Sequence, residues 1–279
     1  MEKGKSKGGR VNSLCQQYGK SRQAFYKSVT KTQQDHEVNS KITGLVQGVR
    51  QRLPRLGGRK LMKILEEDFI KQEIQIGRDA FFDLLREQEL LIVRKKSFTK
   101  TTNSCHRFRV YKNEIKDLEI TKPNEVFVSD ITYIRVAGAF MYLSLVTDYY
   151  SRMIVGYHLN ESLSAKGPLK ALKMAMRRVK HTKGLIHHSD RGIQYCCDDY
   201  VGYLKRKKAV ISMTEEDHVY ENAVAERVNG ILKDEFYLGE RFLSKKEAFK
   251  ALKEGVDCYN NLRPHISLDY DTPQKRYAA

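Results

Sequence analysis

The chain has 279 residues, 30% of them charged, with 51 Lys and Arg against 34 Asp and Glu for a formal net charge of +17. No apolar run approaches the roughly 20 residues of a membrane span. The basic start Met-Glu-Lys-Gly-Lys-Ser-Lys-Gly-Gly-Arg (1–10) leads into no apolar core, which excludes a secretory signal. Five cysteines (15, 105, 196, 197, 258) make no Cys-x-x-Cys pair, so a reducing cytoplasm is expected rather than a disulfide scaffold.

Residues 11–30 read as a helix-turn-helix fragment, broken at Gly19-Lys20, with Ser21 as the cap of the second helix. A longer helix is expected from near Thr32 to Leu53, because Val38, Ile42, Leu45, Val46, Val49 and Leu53 recur every three or four residues. Pro54 and Gly57-Gly58 end it. Two further helices fit 59–69 and 78–90, with Leu61, Ile64, Leu65, Phe69, Phe81, Leu84 and Leu85 turned inward. Residues 1–31 are thus taken as a basic segment and 32–93 as a trihelical unit of DNA-binding type. The rival is a bundle that only packs on its neighbour. Charge decides between them: residues 1–124 hold 27 Lys and Arg against 14 Asp and Glu, whereas residues 125–279 hold 24 against 20. Residues 94–112 alone carry seven basic residues and no acid. This linker (94–122) offers Arg94, Lys95, Lys96, Arg107 and Arg109 to a polyphosphate partner, double-stranded DNA.

From Val126 the periodicity changes to strands, at 126–134, 140–147 and 153–159, the first two joined by a turn at Ala137-Gly138. A helix near 164–180, a strand reaching Asp190, a helix over 197–207, a strand over 209–213 and helices over 222–237 and 244–261 follow. The order βββαβαβα predicts an α/β domain over 123–279 with a mixed sheet, an antiparallel meander followed by parallel crossovers.

Three carboxylates stand out in this pattern. Asp130 lies inside a β-branched and aromatic strand, where a carboxylate is costly unless paired or bound to a cation. Asp190 ends a parallel strand, where ligands of open α/β sheets gather. Glu226 sits on a helix, with 35 residues between it and Asp190. Acids from two strands and a helix can hold two divalent cations about 3.5–4 Å apart, the arrangement that clamps both oxygens of an in-line phosphoryl transfer. Oxygen donors with water-filled positions favour Mg²⁺ or Mn²⁺. Asp148 is the nearest rival. With a turn at 137–138 the partner of Asp130 falls near Leu145, leaving Asp148 about 10 Å away, and it reads instead as a strand-end acceptor for Ser151 or Arg152. Asn222 and Lys233 share the Glu226 helix face, so Lys233 is placed to grip a phosphate beside the site. His188 reads as a packed strand histidine rather than a proton shuttle. Cys196 and Cys197, although close after His187 and His188, fit no common zinc spacing and read as helix-start packing residues.

These stretches resemble a known family, the bacterial insertion-sequence transposases of the OrfB type, within the retroviral-integrase (DDE) superfamily. The resemblance rests on Val-Ser-Asp-Ile-Thr-Tyr-Ile (128–134), Thr-Asp-Tyr-Tyr-Ser-Arg-Met-Ile-Val-Gly (147–156) and His-Ser-Asp-Arg-Gly-Ile-Gln-Tyr (188–195). It continues through Ser-Met (212–213), Tyr-Glu-Asn-Ala-Val-Ala-Glu (220–226), Leu-Lys-Asp-Glu (232–235) and Tyr-Asn-Asn-Leu-Arg-Pro-His-Ile-Ser-Leu (259–268). Upstream, Arg-Gln-Ala-Phe-Tyr-Lys (22–27) and the 50–95 helices also match. The resemblance implies a ribonuclease-H-like core with Asp130, Asp190 and Glu226 as metal ligands. It also implies that Lys233 contacts the element's end, with Gln194 a weaker substrate contact. The implied reaction is cleavage at terminal inverted repeats, followed by attack of the freed 3′-hydroxyl on target DNA. Homo-oligomerisation on DNA and a cytoplasmic, nucleoid-associated place in a bacterium go with it, and a membrane does not. Such products are commonly fused by frameshifting to an upstream partner, and the lack of a leucine-heptad region here fits a catalytic half. Two departures, Phe127 for the usual Trp and Glu221 for the usual Asp, touch no expected ligand. The alternatives are a catalytically silent DNA-binding regulator and a nuclease of the same fold that only hydrolyses.

Overall fold

The computed structural model describes residues 7–93, 107–215 and 222–279, the side chains of 7–10 excepted. Arg94, Lys95, Lys96 and Glu221 lie outside the described residues. The chain divides into two compact units, Met1–Gln51 with Ile64–Leu91, and Arg52–Lys63 with Ile92–Ala279.

The first unit is helical. Helix α1 (Lys7–Gln17) ends at Gly19, whose φ of +62° makes the expected break. Helix α2 (Arg22–Arg50) begins at Ser21, whose Oγ accepts the Ala24 N–H at 3.0 Å. One expectation is corrected here. The second helix of the helix-turn-helix fragment and the helix expected from Thr32 are one continuous element of 29 residues. The apolar stripe begins only at Val38, and Phe25, Tyr26 and Val29 remain exposed, so periodicity of burial could not reveal the first four turns. Helices α3 (Gly58–Lys71) and α4 (Arg78–Glu87) fall where expected. Ile42, Val46, Leu65, Phe69, Phe81, Leu84 and Leu85 are buried, and Phe69 meets Phe81 edge-on with ring centroids 6.1 Å apart.

The second unit is built on a mixed sheet. Strands β1 (Val126–Val136), β2 (Ala139–Asp148) and β3 (Ile154–Asn160) form an antiparallel meander. Ala137 and Gly138 join β1 to β2 with φ of +50° and +82°, the two positive angles of a type I′ turn. The turn sets the register, and Asp130 pairs with Leu145 as expected. Helix α5 (Lys166–Met176) then crosses over to β4 (Ile186–Ser189), which lies parallel to β1. The short α6 (Ile193–Cys196) and α7 (Asp198–Arg206) lead to β5 (Val210–Met213), parallel to β4. Helix α8 (Ala223–Glu235), a two-residue strand β6 (Arg241–Phe242), α9 (Lys245–Asn261), a 3₁₀ turn (Ile266–Leu268) and α10 (Pro273–Ala278) complete it. The strand order is β3-β2-β1-β4-β5, the expected mixed sheet of a ribonuclease-H-like core.

Side-chain alternation along β1 assigns the faces. Phe127 joins the large cluster of Val155, Leu172, Ala175, Tyr200 and Leu204 beneath α5 and α7. Val126 and Val128 point the other way, onto Ala225 of α8. Gly156 on β3 lets α5 lie directly on the sheet, since a Cβ there would come within 2.2 Å of the Ala171 carbonyl oxygen. The atom in the way is backbone, so the helix itself would have to move. Gly156→Ala is expected to destabilise the protein by about 3 kcal/mol, read as a lowered urea midpoint with an unchanged slope.

Candidate active site

The β1–β4 register brings the first two acids together. Ser129 pairs with Ser189, so Asp130 and Asp190 leave neighbouring parallel strands at the same level, about 4.8 Å apart strand to strand. Beyond them β4 stops while β1 continues, and its next partner on a parallel strand is β6, at Arg135 and Val136. The sheet therefore opens beside Asp130. Such a gap at strand carboxyl ends is where open α/β sheets bind ligands.

Helix α8 lies along this gap. Asn222, just before it, donates from Nδ2 to the Ser129 carbonyl oxygen at 3.1 Å, and Asn229, two turns on, donates from Nδ2 to Asp130 Oδ2 at 2.8 Å. These two amides straddle Asp130 and set the axial position of the helix. Glu226 lies between them in sequence, in the first turn and exposed. Lys233, half-buried, is one turn beyond Asn229, its Nζ 4.4 Å from the centroid of the Tyr133 ring.

Electrostatics ties these groups into one site. Burial first, and the Asp190 charge second, raise the Asp130 carboxyl from 3.8 to about 7, with Glu226 adding to the shift. Bonds from Asn229 and the Ile131 N–H oppose it. Glu226 is raised by burial and by Asp190. Burial lowers Lys233, while the Asp130 charge acts to raise it. Three acids thus repel one another, and the lysine stands within their field. As the side chains stand, no three His, Cys, Asp or Glu among the described residues are gathered tightly enough to hold an ion. The donor set is nonetheless all carboxylate oxygen, which fits a hard divalent cation, and mutual repulsion is what such a cation would relieve.

The Asp190 side is held by its own loop. Asp190 Oδ1 accepts the Gly192 N–H at 3.0 Å, and a Cβ on Gly192 would come within 3.0 Å of that oxygen and 3.1 Å of Gln194 Oε1. Gln194 therefore lies beside Asp190, with its Nε2 on the Leu163 carbonyl oxygen. Arg107 and Arg109 are elsewhere. Their neighbours Phe108 and Tyr111 pack on the α5–α7 cluster, on the sheet face away from α8, and Arg109 stacks over Tyr111. Asp148 is fully buried and accepts the Asn124 N–H and both the N–H and O–H of Ser151, as expected for a strand-end acceptor. His187 bridges Ser129 and Tyr200 and is lowered to about 3 by burial, while His188 is buried against Ser212. The two cysteines are packing residues at the start of α7, as expected: Cys196 is buried against Met213 and Cys197 immediately precedes the helix.

Sequence reasoning missed Asn229 and Glu235. Asn229 is three residues after Glu226 and seven after Asn222, so the helical spacing that singled out Lys233 could have found it. Glu235 is the last residue of α8. It accepts two bonds from Arg263, 2.7 and 2.8 Å, and one from Lys60 at 3.2 Å, with the Arg263 side chain 2% exposed. Burial, then the Arg263 charge, lowers Lys60 to about 8. This cluster pins the far end of α8.

Residues 120–218 match the family model described as an integrase core domain, and residues 207–273 match a second model of that description. An insertion element IS600 protein of 31 kDa from Shigella sonnei is 34% identical over 265 residues, 93% of this chain and 96% of that one. Transposase InsF for insertion sequence IS3A, from Escherichia coli (strain K12), is 33% identical over 183 residues, 65% of this chain and 64% of that one. Among solved structures, the simian T-cell lymphotropic virus intasome in complex with PP2A regulatory subunit B56 gamma shares the fold. Its TM-score is 0.51 at 14% identity, over 81% of this chain and 72% of that one.

Two outcomes follow from the site. The folded Asp130 value lies above the unfolded one, so the metal-free protein binds the extra proton between about pH 4 and 7 and loses stability as pH rises through that window. Asp130→Asn is expected to raise the metal-free melting midpoint at pH 8 and leave it nearly unchanged at pH 4. Mn²⁺ is expected to stabilise the wild type more at pH 8 than at pH 6, and not to stabilise the variant. In the second, Arg263→Ala is expected to cost about 3 kcal/mol because Glu235 stays buried with only Lys60 beside it. The double change Arg263→Met, Glu235→Leu is expected to recover most of that loss in chemical denaturation.

Proposed function

The chain belongs to the bacterial insertion-sequence transposases that carry an integrase core, and on that premise we propose that it cuts and rejoins DNA strands through Asp130, Asp190 and Glu226. It is a polynucleotidyl transferase dependent on a divalent metal. The observation that carries the residue assignment is the register of Ser129 on Ser189, which sends Asp130 and Asp190 off adjacent parallel strands at one level beside an opening in the sheet; Asp130 there is raised by burial first and then by the charges of Asp190 and Glu226.

In this reading Asp130, Asp190 and Glu226 would hold the divalent cations, Mg²⁺ and Mn²⁺ being the ions that suit such oxygens. A bound cation supplies Lewis acidity, neutralising phosphate charge and lowering the pKa of a water or a DNA 3′-hydroxyl. The chain's own residues supply position. Asn229 orients the Asp130 carboxylate, leaving its lone pairs aimed at the gap. Lys233, steadied by the Tyr133 ring, meets a phosphate on the DNA strand that enters. Gln194 contacts the substrate from the Asp190 side. No protein side chain is needed as nucleophile, so water cuts and a freed 3′-hydroxyl joins at the same acids.

The partners that fit are the terminal inverted repeats and a target duplex, bound by a homo-oligomer in the bacterial cytoplasm. The trihelical segment 32–93 and the basic linker with Arg94, Lys95, Lys96, Arg107 and Arg109 add non-specific affinity for the DNA backbone. An upstream frameshift product would supply end recognition. Among the described residues, no helix is long and apolar enough to cross a membrane.

The test uses a labelled duplex carrying the terminal repeat that flanks the gene, an unlabelled plasmid target, and Mg²⁺ or Mn²⁺. The wild type is expected to give nicked and joined products. Asp130→Asn and Glu226→Gln are expected to abolish both while retaining duplex binding, and Asn229→Ala to lose about 10- to 100-fold in rate, as for groups that orient a metal ligand. Full activity in either acid variant sinks the assignment, and nicking without any joined product would reassign the chain as a hydrolytic nuclease.

A further inference from the structure

Charge in residues 125–279 is segregated by place. Two spans, 162–189 and 200–214, contain no Asp or Glu and hold eleven Lys and Arg: Lys166, Lys170, Lys173, Arg177, Arg178, Lys180, Lys183 and the run 205–208. The remaining parts of 125–279 hold 13 basic residues against 20 acidic ones. All eleven cations are exposed, and among the described residues none of them forms an ion pair.

The fold merges the two spans into one surface. Helices α5 and α7 lie side by side over the same sheet face. The loops that follow them are joined where Thr182 Oγ1 donates to the Lys207 carbonyl oxygen at 2.7 Å and the Gly184 N–H to that of Lys208 at 3.1 Å. Lys166, Lys170, Lys173 and Arg177 are spaced four, three and four residues apart, so they line one side of α5 over about 17 Å. That length spans about five phosphates of one DNA strand. Tyr203 sits at the seam with Lys173 Nζ 5.7 Å, and Arg206 and Lys207 each 6.0 Å, from its ring centroid. Three cations gathered on one ring, with no carboxylate among them, repel one another until a polyanion arrives. The surface is also turned away from the acids. Asp130 lies on the α8 face, and the joined loops lie at the ends of β4 and β5 opposite Asp190.

We propose that the outer face of α5 and α7 is a second DNA-binding surface, which holds the phosphate backbone of a duplex segment distinct from the one reacting at the carboxylates. The proposal rests on the strand-transfer reading, in which two DNA segments must be held at once. A protein partner fits less well: within the two spans the exposed large apolar side chains are Leu163, before α5, and Val210, on β5, and neither lies on α5 or α7, so the two helices lack the anchors of a protein interface.

The experiment measures binding of the full chain to a fluorescein-labelled duplex of arbitrary sequence, about 30 base pairs long, by anisotropy from about 50 to 200 mM KCl without divalent cations. The triple variant Lys170→Gln, Lys173→Gln, Lys207→Gln is expected to bind more weakly and to reduce the slope of log affinity against log salt by about 2–3. A control with the same charge change on α9, Lys246→Gln, Lys250→Gln, Lys253→Gln, is expected to keep the wild-type slope. Matching circular dichroism spectra and melting midpoints exclude misfolding, and sedimentation reports the oligomeric state. A steep wild-type slope that the triple variant leaves intact overturns this inference alone. So does a triple variant that changes only the sedimentation mass, which would make the surface a contact between copies. A wild type with no salt-dependent binding overturns the inference together with the DNA reading.

Discussion

Three carboxylates that repel one another are the constraint around which the catalytic unit is arranged. Asp130 and Asp190 emerge from adjacent parallel strands at one level, and Glu226 adds its charge from a helix laid across the opening. Burial first, and the charges of Asp190 and Glu226 after it, raise Asp130 to about 7, so ionising it costs the folded chain stability.

The cost of that crowding is met by bonds that leave α8 little freedom. Asn222 and Asn229 hold it to β1 on either side of Asp130, and Arg263 with Lys60 holds its last residue, Glu235. The segment Tyr-Asn-Asn-Leu-Arg-Pro-His, over 259–265, supports this framework rather than the chemistry. Tyr259 donates to the Arg152 carbonyl oxygen. Asn260 accepts the Ile154 N–H and donates to the Ile154 carbonyl oxygen, copying with one side chain the pairing of a further strand on β3. Arg263 supplies the fork on Glu235. The motif is a set of braces, one step removed from the three carboxylates.

Charge is distributed on the same logic. The acids occupy one end and one face of the sheet, and the basic surface of α5 and α7 the other, so the positive field over these helices does not cancel the negative field at the acids. The modest net charge of residues 125–279 is a sum over two strongly polarised halves, and the sum conceals them. Even without the basic linker this unit therefore presents a concentrated positive surface.

The linear chain alone determined the elements whose cause is local. Period-two alternation marked the strands, two positive-φ positions at Ala137 and Gly138 set the hairpin, and the turn then fixed Asp130 opposite Leu145. Ser21 and Ser244 cap the helices they precede. The three acids were legible because a charged residue in an apolar strand, or at its end, conflicts with its surroundings. Tertiary structure decided whatever depends on partners far along the chain. The unbroken α2 has no buried stripe in its first turns to announce it. β6 is two residues long and exists only because β1 runs past the end of β4. The Asn229 amide is indistinguishable from any helix-surface asparagine until it reaches Asp130, 99 residues away, and the basic surface is two separate spans until α5 and α7 lie side by side. Local sequence carries propensity and period; which side chains share a field is settled only when the chain closes on itself.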